Sequence, residues 1–139
     1  MYSKRYGHIS LLLLVFLTAC SSQSPGEQAT DSLKSVQSWV ATVRMASTAW
    51  EQHTIPTVYA RQTLHKAQAE IHKESNALTK AHGPAAATNL LKQIEITTQQ
   101  MTIAIEAGDR SAVSHGIAQL ASEQRAIHAL VNHSTRTDL

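Results

Sequence analysis

The sequence predicts an all-α fold, an antiparallel up-down-up-down four-helix bundle that follows a cleaved signal peptide and a flexible tether. Three observations predict it. Apolar residues recur at alternating spacings of three and four in four consecutive segments, so each segment carries them on one face. Proline and glycine separate these segments. The segments are near-equal, about 22–27 residues or about 33–40 Å as helices, and their short connections favour antiparallel neighbours. No alternating run of strand length and no internal repeat competes. The alternative is two helical hairpins that complete a core by dimerising, an option the alanine-rich second segment keeps open.

The 139-residue chain divides into residues 1–19, a signal segment; 20–31, a polar tether; 32–134, the helical domain; and 135–139, a disordered tail. The tether, Ser21 to Thr30, carries Pro25 and Gly26 and no apolar periodicity. As a coil of ten residues it spans about 16–19 Å on average. The first helix is expected from about Ser32 to His53, capped by Asp31 or Ser32, with Leu33, Val36, Val40, Val43 and Trp50 on its stripe. The second runs from about Pro56, suited to a first helical turn, to His82, with a thinner stripe of Ala60, Leu64, Ala67, Ile71 and Leu78. Gly83-Pro84 supplies a stop and a restart. The third spans about Pro84 to Ala107 on Leu90, Leu91, Ile94, Met101 and Ile105. Gly108-Asp109 gives a left-handed cap and the next N-cap. The fourth runs from about Arg110 to Asn132 on Val113, Ile117, Leu120, Ile127 and Val131.

The N-terminal segment has the anatomy of a signal peptide. Lys4 and Arg5 precede an apolar run from Ile9 to Leu17, about half the length a membrane-spanning helix needs. Small residues then lead to Cys20, the one cysteine of the chain. The run Leu17-Thr18-Ala19-Cys20 resembles the lipobox of bacterial lipoproteins. That resemblance implies cleavage before Cys20, a diacylglyceryl group on its sulfur and acylation of its new amino group. The lipid bilayer is then a partner through acylated Cys20, since two or three acyl chains anchor stably where one is marginal. Ser21 follows the cysteine, in place of the aspartate linked to inner-membrane retention. The resemblance therefore implies the periplasmic face of the outer membrane in an organism with two membranes.

Removing the signal changes the charge argument. Of 12 basic residues Lys4 and Arg5 leave, so 10 remain against 10 acidic. A neutral domain has no field for nucleic acid and no polybasic surface for anionic lipid. With Cys20 lipidated no disulfide forms, and the fold rests on its apolar core.

No G-x-S-x-G, Walker A, H-E-x-x-H or glycine-rich dinucleotide fingerprint is present, and no catalytic residue is assigned. Ser114 and His115 are neighbours that point about 100° apart on a helix, not a nucleophile–base pair. The histidines beyond the signal are His53, His65, His72, His82, His115, His128 and His133. None has a second His, Asp, Glu or Cys three or four residues away, so no metal ligand set is read from spacing. An interhelical site is left open. The stretch from Gly108 to His128, with Gln119-Leu120, Ala126 and His128, is similar to the last helix of the four-helix b-type cytochromes. Those proteins ligate haem with a histidine late in helix 4 and a methionine early in helix 1. Here Val36-Gln37 occupies that region, and Met45 lies about 160° from the first stripe and about two turns too far along. Haem is rejected, no cofactor is expected, and the similarity supports the bundle architecture alone.

What remains is interaction. Trp39 and Trp50 share a helical face, and Trp50 is expected to meet Tyr59 across the first turn. Ile96 and Ile103, seven apart and nearly opposite the third stripe, are expected to be exposed together. They are the candidate contact for an envelope protein or a second copy of the chain. Gln124 falls mid-stripe on the fourth helix, while Ser47 and Thr98 interrupt the first and third. A core polar layer is expected, with Gln124 bonded to Thr98, Ser47 or a trapped water. The function expected is a lipid-anchored extracytoplasmic interaction or structural module, not an enzyme. The alternative is a small-ligand or metal-binding bundle.

Overall fold

The computed structural model describes residues 24–137. The signal segment, Cys20, and Asp138 and Leu139 of the expected tail lie outside the described residues. Among the described residues four helices make up the fold: α1 (Pro25–Glu51), α2 (Thr57–Lys80), α3 (Ala85–Ala107) and α4 (Arg110–Thr137). Each is about 35–42 Å long.

Side-chain bonds between helices fix the directions. Ser32, early in α1, donates to Glu74 late in α2, while Trp50, late in α1, donates to Thr57 at the start of α2. His72 pairs with Glu95 and His65 with Glu106, so α2 and α3 also run opposite ways. Thr97 to Glu123 joins α3 to α4, and Gln37 to His128 and Arg110 to His53 close α4 onto α1. The bundle is up-down-up-down, with α1 and α3 touching across the diagonal. The expected stripes form its core: Leu33, Val36, Val40 and Val43, Leu64, Ile71 and Leu78, Leu91, Ile94 and Ile105, and Val113, Leu120 and Ile127 are buried.

Two boundaries differ from expectation. The segment expected as a tether is helical from Pro25 onward. Ser24-Pro25-Gly26-Glu27 is a capping box: the Ser24 hydroxyl accepts from the Glu27 N–H at 3.2 Å, and the Glu27 carboxylate accepts from the Ser24 N–H at 3.0 Å. Pro25 at the first helical position loses no bond, and these groups outweigh the poor propensity of Gly26. Ala29 and Ser32 are buried, so the extra turns join the core and Ser32 is no cap. At the other end α4 continues to Thr137, so residues 135–137 are helical rather than tail.

The connections follow one pattern. At each of the first three helix ends a left-handed residue reverses the chain, and the next N–H bonds back to a carbonyl one turn earlier: Thr54 to Ala49, Gly83 to Leu78 and Asp109 to Ala104. Gly108 takes the left-handed position after α3, as expected, and Asp109 caps α4 by accepting from the Ala112 N–H at 2.9 Å. After α1 and α2 that position belongs to His53 and His82, not to glycine. Gly83 is needed for a different reason, since a Cβ there would lie 2.3 Å from the Leu78 side chain.

Candidate functional site

The rotation of α4 decides which polar groups enter the core. Its buried residues are Val113, Gly116, Leu120, Glu123 and Ile127, whereas Ile117 and Gln124 are only partly buried. Both series obey spacings of three and four, so periodicity alone does not separate them. Gly116 does. A Cβ at this position would lie 2.3 Å from the Met101 side chain, so the bare glycine receives Met101 of α3 and turns its own face inward.

The expected layer of Ser47, Thr98 and Gln124 does not form. Gln124 accepts from Arg44 Nη1 at 2.6 Å, across the α1–α4 seam. Thr98 donates to the Ile94 carbonyl of its own helix at 2.8 Å. The Ser47 hydroxyl is buried without a hydrogen-bond partner. The polar group that does enter the core is Glu123, which takes the stripe position beside Leu120 and Ile127. Its Oε1 accepts from Thr97 Oγ1 at 2.9 Å and from Gln119 Nε2 at 3.1 Å. Its Oε2 is buried and unpartnered. Burial pushes the Glu123 carboxyl above its ordinary value, and the hydrogen bonds from Thr97 and Gln119 pull only partly against that.

Among the described residues, clefts open on the surface at two places. One, of about 440 Å³, runs along α1 beside α4 over Ala41, Met45, Thr48 and Ala49, with Arg44 and Gln124 in its wall. The other, of about 560 Å³, lies at the end of the bundle where α1 meets α2 and α3 meets α4. There the Arg110 guanidinium sits 5.8 Å from the centre of the Trp50 ring and donates to His53 Nδ1 at 3.1 Å. The Trp50 indole N–H is spent on Thr57 Oγ1 at 3.0 Å. Tyr59 is 57% exposed, so the expected Trp50–Tyr59 closure is replaced by Thr57 and Arg110. Residue 59 lies in the first turn of α2 but faces away from the seam, whereas Thr57 faces it. Trp39 packs against the core partly buried.

On the outer face of α3, Ile96 and Ile103 are 54% and 58% exposed. Gln99 and Gln100 between them are exposed and uncharged. Among the described residues no three His, Cys, Asp or Glu side chains converge on a metal-sized site. Met45 is exposed, and His128 bonds Gln37. No described helix is long and apolar enough to cross a membrane. Arg44 and Glu123 are functional-looking groups that spacing does not announce, because each lies beside a residue that claims the stripe, Val43 and Gln124 respectively. Comparison of the chain with protein-family models, with characterised proteins and with solved structures gives no match.

Proposed function

We propose that this chain is a lipid-anchored protein of the bacterial cell envelope whose helical bundle acts by binding another protein, either an envelope protein or a second copy of itself. The lipobox-like run ending at Cys20 supports the anchor and, with Ser21 after it, the periplasmic face of an outer membrane. The observation that carries the interaction reading is the exposed pair Ile96 and Ile103. Two β-branched side chains one heptad apart, with the uncharged Gln99 and Gln100 between them, offer apolar area on an exposed helix face. The buried chemistry supports no catalytic reading: Glu123 is enclosed in the α3–α4 seam, and Ser114 and His115 are both exposed.

Cys20→Ala tests the anchor. Metabolic labelling with a fatty acid is expected to be lost and the signal to stay uncleaved by the lipoprotein peptidase. Labelling that persists in this variant refutes lipidation at Cys20. Ile96→Lys with Ile103→Lys tests the face. Thermal stability is expected to change by no more than about 0.5 kcal/mol, as for other exposed positions. Crosslinked partner or dimer bands in intact cells should disappear; bands of unchanged intensity would overturn the assignment.

A further inference from the structure

The cleft along α1 and α4 contains a cation with no counter-ion. Arg44 is half-buried, its Nε is enclosed without a hydrogen-bond partner, and Nη1 donates only to the neutral Gln124 amide. Among the described residues no carboxylate pairs with it; the ion pairs present join His65, His72 and Lys73 to glutamates elsewhere. Guanidinium groups taken out of water are ordinarily held by a carboxylate or a full set of acceptors. Arg110 needs no such partner, because it is exposed over Trp50. Arg44 borders a shallow, open groove of about 440 Å³.

The rest of the cleft narrows what fits. Arg44 is the one charged residue of its lining, so a dianion such as a phosphate monoester would be under-neutralised. Ala41, Ala49 and Met45 give a shallow apolar floor with a flexible thioether at its rim. Gln124 spends its oxygen on Arg44, leaving amide N–H groups that bond no other described residue.

We propose that this cleft binds a small monocarboxylate, the carboxylate taken by the Arg44 guanidinium and the Gln124 amide N–H, and a short apolar body laid on Ala41, Met45 and Ala49. With Nε enclosed, the carboxylate is met end-on by Nη2 and the remaining Nη1 proton, and the neutral glutamine supplies a further donor without a second charge. This site is independent of the anchor and of the α3 face.

The test is a titration of the full chain, 15N-labelled and held in detergent micelles, with sodium butyrate and separately with its neutral isostere butyramide. Butyrate is expected to shift the Arg44 Nε–H resonance and the amides of Met45, Ala49 and Gln124 saturably, and butyramide to leave them in place. Arg44→Gln is expected to weaken butyrate binding about tenfold or more, and Arg44→Lys to retain part of it. Equal response to the two probes, shifts that never saturate, or unchanged binding in Arg44→Gln would each overturn the proposal. Should Arg44→Gln fail to fold, the comparison of butyrate with butyramide on the unaltered chain decides the matter alone.

Discussion

Gly116→Ala is expected to lower the unfolding free energy by about 1–3 kcal/mol, the range for overfilling a packed core. Local propensity argues the other way, since alanine is favoured over glycine inside a helix by about 1 kcal/mol. Packing wins because the added Cβ would lie 2.3 Å from Met101 Cγ and 2.8 Å from its sulfur. Those atoms are near the middle of a buried side chain and cannot swing into solvent. Met101→Ala alone is expected to cost about 2–5 kcal/mol, as other buried truncations do. In the double variant the new methyl enters the space Met101 vacates, so the combined loss should fall short of the sum. Urea unfolding of the four species gives the cycle. An additive double variant would show that the glycine and the methionine do not share one space.

Glu123→Gln is expected to stabilise the bundle at neutral pH by on the order of 1 kcal/mol and to lose that advantage in acid. The amide oxygen keeps the bonds from Thr97 and Gln119, while the ionised oxygen buried without a partner is gone. The sign follows from the direction of the shift. Burial raises the folded carboxyl above its ordinary value near 4.5, so folding favours the protonated form. The stability contributed by Glu123 is therefore fully present below about 4.5 and is lost as pH rises through the higher folded value. The two proteins should have similar urea midpoints near pH 4 and diverge toward pH 7. A variant less stable than the parent at pH 7 would mean that the carboxylate is solvated or paired in the folded protein.

The architecture was legible because its signals are local and repeated. Stripes such as Leu33-Val36-Val40-Val43 and the Gly108-Asp109 turn each point to one solution. The phase of α4 was not legible. Val113, Leu120 and Ile127 are shared by two stripes, and the choice between Gly116 with Glu123 and Ile117 with Gln124 lies in α3, where Met101 needs room. Hydropathy selects the isoleucine and the amide, whereas complementarity between helices selects the glycine and the carboxylate. The expected polar layer does not form for this reason, and Arg44 is not legible from spacing because its partner Gln124 lies on the alternative core stripe of α4. The start of α1 differs from expectation for the opposite reason. Pro25 and Gly26 are breakers by type, yet the spacing of Ser24 from Glu27 marks a helix start whatever lies between them.

The early start of α1 has a mechanical consequence for an acylated Cys20. A coil to residue 31 would let the domain drift on a leash, with its faces sampling every orientation. Three residues separate Cys20 from Ser24, and the four steps between them reach at most about 14 Å even when fully extended. Beyond that the first rigid element rises about 40 Å. Were Cys20 acylated as proposed, so short a link would keep the foot of α1 near the bilayer surface. Copies anchored in one leaflet would then present their α3 faces at similar heights, and lateral encounters between copies would be favoured over encounters with molecules across the compartment.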